Sequence, residues 1–286
     1  MALHFLVVEG NTREGREAYR STLGKTASES YAATLVRLTP GARCDLCFPA
    51  DEGANLSSAQ GLEAYDGVFI TGSALNVYDG GPEVERQVAL ARAVFAAQTP
   101  FFGSCWGLQV ATAAAGGDVF RNPLGREIGM ARKIVPTEAG RFHPLLAGRS
   151  DTFDAPCSHI DNVAPAPGAT VLAKNAMSAV QAAEIAYDGG RFWGVQYHPE
   201  YALTEVASII ERRAAAMAKE GLAASEAEAL AYAKDLRRLD AAPERADIAW
   251  RLGIDADVLD PARRQAELVN FLERWVRPHA SRRGRA

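Results

Sequence analysis

Apolar positions along the chain fall into two rhythms. Residues 3–10, LHFLVVEG, form an apolar run closed by a glycine, as suits a strand buried on both faces. DGVFITGS (66–73) and FFGS (101–104) repeat that pattern, and a shorter strand is predicted from Cys44 to Phe48. Between these runs the spacing becomes helical: Tyr31, Leu35 and Leu38 before Pro40 and Gly41, then Val84, Val88, Ala91 and Phe95 between Pro82 and Pro100. Strands and helices alternating at this interval predict a parallel sheet with helices on both faces.

From 118 to 197 the pattern turns strand-rich. EIGMARKIV, TFDAP, ATVLA, AVQAAEIAY and RFWGVQY are separated by Gly, Pro and Asp turns, which predicts a partly antiparallel extension of the sheet. After Glu200 the strand signal stops. Leu203, Val206, Ile209, Ile210, Arg213 and Met217 trace an amphipathic helix, and further helical segments run to about Val276. The predicted organisation is an α/β domain over 1–201, a helical extension over 202–277 and a basic tail over 278–286 without fixed structure. The stripe Leu203, Val206, Ile210 is expected to pack on the sheet domain. Trp250, Leu252, Phe271 and Trp275 are left to pack among themselves or on a partner such as a second copy.

The 286 residues are 48% hydrophobic and 23% charged, with a formal net charge of -4, so a sizeable core is available and there is no general attraction to nucleic acid or anionic membrane. The arginines from Arg274 to Arg285 form too short a tail to change that expectation. No apolar run approaches the roughly 18 residues of a membrane span, and no leader pattern opens the chain, so a cytoplasmic location is expected. Cysteines at 44, 47, 105 and 157 are too few for a disulfide framework. Cys44 and Cys47 form a C-x-x-C, but one pair is half a zinc shell and it lies in an alternating strand; neither a metal nor a cofactor is expected.

Cys105 has a different setting. Gly103-Ser104-Cys105-Trp106-Gly107 fits a Gly-x-nucleophile-x-Gly turn between a buried strand and a helix, where small residues relieve crowding and the central side chain stands out from the sheet edge. The N-terminus of the following helix aims its N–H groups at the sulfur and favours the nucleophilic thiolate. Ser104 should point the other way and be structural. A base is then required. Of five histidines, His198 has the best context: it follows the strand RFWGVQY, and Pro199 biases it to an extended conformation in which His198 and Glu200 share a side. Glu200 would orient the imidazole as the third member of a triad. The Trp106 N–H and the turn at Gly72 and Ser73 are the candidate oxyanion donors.

GSCWGLQ (103–109) and GVQYHPE (194–200), together with ITGSALNVYDG (70–80) and SHIDNV (158–163), resemble the class I, triad-type glutamine amidotransferases, over roughly residues 3–201. The likeness is strongest to stand-alone proteins that resemble the amidotransferase part of GMP synthase. It implies a flavodoxin-like parallel or mixed sheet flanked by helices, with the C-terminal helices as an appendage. It also implies attack of Cys105 on the carboxamide of glutamine or of a γ-glutamyl amide, release of ammonia or an amine, and hydrolysis of a glutamyl thioester, with His198 as acid and base. The family pattern further puts Gln109, Ser158 and His159 around the substrate. A separate ammonia-accepting synthase is the implied partner. Ser104 and Tyr197 depart from the usual pattern, and the roughly 85 residues after Tyr201 lack a Gly-rich phosphate loop, so a complete GMP synthase is not expected.

Two alternatives stay open on sequence grounds. A homoserine acyltransferase-like enzyme shares a Cys, His and Glu arrangement and the reminiscent HPEY (198–201), and a binding module could retain the fold without chemistry. The polar stretch 11–30 follows the first strand at the edge where Cys105 is expected. It is either a substrate lid, with Arg13, Arg16 and Arg20 facing an anion, or a solvated helix on which Glu14 and Glu17 pair with those arginines. If it is no lid, specificity falls to the 50–60 and 74–81 loops.

Overall fold

In the computed structural model, which describes residues 2–54 and 59–284, the first apolar run becomes strand β1 (His4–Val8). It is followed by α1 (Arg13–Leu23), α2 (Ala27–Leu38), β2 (Arg43–Cys47), the short α3 (Ala59–Leu62), β3 (Gly67–Ile70), α4 (Pro82–Ala97), β4 (Phe101–Ser104) and α5 (Trp106–Ala114). The strand-rich stretch gives β5 (Val119–Arg121), β6 (Glu127–Pro136), the short helix α6 (Glu138–Phe142), β7 (Phe153–His159), β8 (Asp161–Val163), β9 (Ala169–Lys174), β10 (Ala182–Tyr187) and β11 (Gly190–Val195). Nine strands form one sheet in the order β2-β1-β3-β4-β11-β10-β9-β6-β7, while β5 and β8 pair separately. The first five are mutually parallel; from β11 to β7 the pairing is antiparallel.

Alternation along β1 explains the layers. Phe5 and Val7 face one side of the sheet and Leu6 and Val8 the other, and all four are buried. On the Leu6 side lie α4 and α5, with Leu90, Val94, Phe95, Leu108 and Ala111 against Val68, Ile70 and Phe101. On the Phe5 side lie Tyr31 and Leu35 of α2.

The C-terminal helices are α7 (Leu203–Lys219), α8 (Glu226–Ala241), α9 (Ala246–Leu252), α10 (Ala256–Leu259), α11 (Pro261–Arg264), α12 (Ala266–Phe271) and, after a π-helical turn at Leu272–Val276, α13 (Arg277–Arg282). Their packing reverses the expected division. The Leu203, Val206, Ile210 stripe closes mainly on Ala233, Leu236, Leu239 and Ile248 of α8 and α9, reaching the sheet domain through Met130 and Tyr201. It is Phe271 that enters the sheet core, with ring centroids 5.3 Å from Phe69 and 5.3 Å from Phe102. Trp275 packs on Trp193 at 4.9 Å, whereas Trp250 is 87% exposed.

The basic end also differs from expectation. It is helical to Arg282, because Val276 and Ala280, four residues apart, are both fully buried against the Phe5 face of the sheet. Residues 285 and 286 of that tail lie outside the described residues. The 11–30 stretch holds the capped helix α1 and the start of α2: Thr12 accepts from the Gly15 N–H at 3.3 Å, and Gly24 ends α1 with φ 73°. Arg16 is buried and bonded to both oxygens of Asp51 at 3.0 and 2.6 Å, and Arg20 pairs with Glu17 and Glu29. No helix among the described residues is long and apolar enough to cross a membrane.

Candidate active site

β1, β3, β4 and β11 are neighbours in that order and run in parallel, so the residues following each of them meet at one sheet edge. These are Glu9 to Asn11, Thr71 to Ala74, Cys105 and Gln196 to Glu200. Cys105 has φ 52° and ψ −101°, a strained backbone worth about 1–3 kcal/mol, which the neighbouring strand helps to hold: its N–H donates to the Val195 carbonyl at 2.7 Å. Gly107 is required because a Cβ there would sit 2.8 Å from the Ile70 carbonyl oxygen.

His198 is buried. Its Nδ1 lies 2.7 Å from Glu200 Oε1, and the Tyr201 ring stacks on the imidazole with centroids 3.9 Å apart and planes within 3°. Burial works against a charged ring, but the Glu200 carboxylate and hydrogen bonding to Cys105 and Glu200 outweigh it and hold the imidazole up at about 10. The second carboxylate oxygen of Glu200 accepts from Ser104 Oγ at 2.9 Å, and Ser104 in turn lies 3.4 Å from the Tyr31 hydroxyl. Ser104 therefore does point away from the cysteine, toward the carboxylate.

The Gly72-Ser73 turn lies hard against the imidazole: a Cβ on Gly72 would be 2.7 Å from His198 Cε1. Asn11 fixes this turn. Its Nδ2 donates to Glu9 Oε1 at 2.8 Å and to the Gly72 carbonyl at 3.4 Å, while its Oδ1 accepts from the Ala74 N–H at 3.2 Å. Glu9, fully buried, also accepts from the Ser28 N–H at 2.8 Å. The Trp106 N–H belongs to the first turn of α5, where no intrahelical carbonyl is available.

Cys105 borders two cavities. One, of about 210 Å³, is lined by Gln109, Arg121, Arg126, Ser158, Asp161 and Arg213 among others. The other, of about 300 Å³, is lined by His198, Tyr201, Tyr19, Ile209, Arg212 and neighbours. Ser158 borders both, its carbonyl 3.8 Å from the Cys105 sulfur. His159 borders the smaller cavity, but its Nε2 is 2.9 Å from Glu127 and its Nδ1 3.0 Å from the Asp161 carbonyl, so neither ring nitrogen is left for a substrate. Residues 55–58 of the 50–60 loop lie outside the described residues. Cys44 and Cys47 are free thiols, pushed up to about 11 chiefly by burial. Among the described residues no cluster of three or more His, Cys, Asp or Glu side chains could hold a metal.

Sequence reasoning missed Asn11, Tyr201 and the arginines of α7. Asn11 carried a usable signal, since it directly follows β1 at the same edge as Cys105. Arg213 carried none, because its approach depends on how α7 crosses the sheet edge.

The family model "Glutamine amidotransferase class-I" matches residues 30–216, and the chain belongs to that family. It is an enzyme family, and along nearly its whole length the chain is similar to one member: a gamma-glutamyl-L-1-hydroxyisopropylamide hydrolase of a Pseudomonas species, 32% identical over 286 residues, 98% of this chain and 96% of that protein. The GMP synthase of Aeromonas hydrophila is 34% identical over 136 residues, which is 43% of this chain and only 25% of the synthase. A crystal structure of a glutamine amidotransferase from Thermotoga maritima superposes with a TM-score of 0.64, covering 96% of this chain and 99% of that one at 17% identity, a likeness of fold.

Proposed function

We infer that the chain hydrolyses γ-glutamyl amides through a glutamyl thioester on Cys105, with His198 as proton carrier and Glu200 as its orienting group. The observation that supports this most strongly is the 2.7 Å contact from His198 Nδ1 to Glu200 Oε1 beside a cysteine at a strained strand-to-helix turn. The sulfur adds to the γ-carbonyl carbon, and the carbonyl π pair moves onto oxygen. N–H groups of Trp106 and of the Gly72-Ser73 turn receive that oxyanion. The Gly72 carbonyl is held by Thr71 Oγ1 at 3.1 Å and by Asn11, and in a planar trans peptide the Ser73 N–H points the opposite way.

The C–N bond then breaks as His198 gives its proton to nitrogen, leaving the thioester and a neutral imidazole. Water adds to the thioester carbonyl while losing a proton to His198. The C–S bond breaks, glutamate leaves, and the sulfur anion again faces a protonated ring. Arg121, Arg126 and Arg213 with Asp161 give the smaller cavity the charges that suit an α-carboxylate and an α-ammonium.

The full-length similarity to a hydrolase, against a quarter-length match to GMP synthases, favours release of the amine to solvent over delivery to a separate synthase. The test is to incubate the protein with glutamine and γ-glutamyl amides and quantify glutamate and amine. Wild type is expected to release both in equal amounts and Cys105→Ala to release neither; full activity in the variant refutes the reading.

A further inference from the structure

The two cavities beside Cys105 differ in which catalytic group they meet. His198 lines the larger and not the smaller. A general acid must stand within hydrogen-bond reach of the atom it protonates, so the nitrogen that leaves has to face the larger cleft. Ammonia has no use for about 300 Å³, since a water-sized molecule occupies roughly 30 Å³.

The wall opposite the sheet is supplied by α1 and α7, and it is tied together. Ser208 Oγ donates to Thr22 Oγ1 at 2.8 Å, Arg212 Nη1 donates to the same hydroxyl at 2.6 Å, and the Arg212 guanidinium lies 5.4 Å from the centroid of the Tyr19 ring. Tyr19, Tyr201 and Ile209 give the cleft apolar surface. Arg212 and Arg213 border it, no carboxylate side chain among the described residues lines it, and the charged form of His198 is favoured, so a second positive charge on the departing amine would meet repulsion. The Tyr201 hydroxyl lies 3.5 Å from the position a Cβ on Gly72 would take, beside the imidazole it stacks on.

We propose that the α1–α7 cleft is the subsite for the departing amine, and that it selects γ-glutamyl amides of uncharged alkyl or hydroxyalkyl amines of several carbon atoms over both glutamine and amides of diamines. This rests on the hydrolase reading above. It gives the C-terminal helices a part in specificity, because α7 brings Ile209, Arg212 and Arg213 to a site whose chemistry is built on the strand ends. Tyr201 acts here as a positioning residue for His198 and presents its hydroxyl to the amine.

The test compares kcat/KM for glutamine, γ-glutamyl isopropylamide and γ-glutamyl 4-aminobutylamide in wild type, Ile209→Trp and Ala18→Trp. Ala18 is exposed on α1 and borders the same cleft, so its replacement narrows the subsite without entering the core. Wild type is expected to favour the isopropylamide at least about tenfold over each of the others. Each tryptophan should lower the ratio of isopropylamide to glutamine turnover by about tenfold or more. Glutamine cleaved as well as the isopropylamide, or the diamine amide preferred, overturns the subsite while leaving the hydrolase reading intact. An unchanged ratio in a folded Ala18→Trp protein does the same. Failure of wild type to cleave any of the three overturns the hydrolase reading itself, and the subsite with it.

Discussion

Ser104 donates its hydroxyl proton to Glu200 at 2.9 Å, so the residue immediately before the cysteine holds the carboxylate that orients the histidine beside that cysteine. The end of β4 thus provides both the sulfur and the hydroxyl that holds the carboxylate, while the segment after β11 provides the histidine and that carboxylate. Replacing Ser104 by Ala removes one of two hydrogen bonds to a buried carboxylate, a loss of about 1–3 kcal/mol in holding Glu200. We expect kcat to fall roughly tenfold or more with little change in KM. Steady-state kinetics on a γ-glutamyl amide check this, and wild-type kcat in Ser104→Ala contradicts it.

The pH dependence follows from His198. Its folded value, about 10, lies above the ordinary 6.5, so the charged ring stabilises the fold fully below pH 6.5 and that contribution is lost as pH rises toward 10. In the proposed reaction amide cleavage uses the same proton, so the rate should fall on the alkaline side near that value. Glu200→Gln removes an anion that raises the histidine, and the alkaline limb should move down by about 1–3 pH units. A pH–rate profile of both proteins measures the shift; limbs that coincide sink the assignment of Glu200.

Stability has a separate anchor. Arg149 Nε and Nη2 each contact Glu267 at 2.7 Å, with Arg149 3% and Glu267 0% exposed, and the Tyr197 hydroxyl donates to Glu267 at 2.8 Å. Glu267→Ala would leave a buried guanidinium without its counter-charge, at a cost of about 3–5 kcal/mol. Chemical denaturation should show that loss, and a change below about 1 kcal/mol would mean that water reaches Arg149.

The Phe271 contact gives a second stability prediction. Phe271 touches the Phe69 and Phe102 rings in the sheet core, so Phe271→Ala should destabilise the fold by about 3–5 kcal/mol. Trp250→Ala, at an 87% exposed position, should be close to neutral. Thermal melts of the two variants compare them directly.

The contrast between those two aromatics marks what the sequence could and could not say. The turn at Cys105 and the spacing of His198 and Glu200 are local patterns of small residues and strand periodicity, and the alternation of strands and helices carried the parallel sheet. Phe271 and Trp250 look alike in sequence, since both sit in short helical segments, and only a contact spanning about 200 residues distinguishes them. Arg37 reaching Gln265 at 2.9 Å is another such tie. His159 is a mixed case: its place in SHIDNV suggests a substrate contact and it does line the smaller cavity, but its ring nitrogens are held by Glu127, 32 positions earlier, and by the Asp161 carbonyl. The α1–α7 cleft was invisible for the same reason, being the meeting of one helix from each end of the chain.

The central claim is that Cys105 carries a glutamyl group during turnover. Intact-mass spectrometry of protein quenched in acid while hydrolysing a γ-glutamyl amide tests it most directly. The account predicts an adduct of one glutamyl group, mapped to the peptide containing Cys105 and absent from Cys105→Ala. An adduct on another residue, or turnover by Cys105→Ala at the wild-type rate, would contradict it.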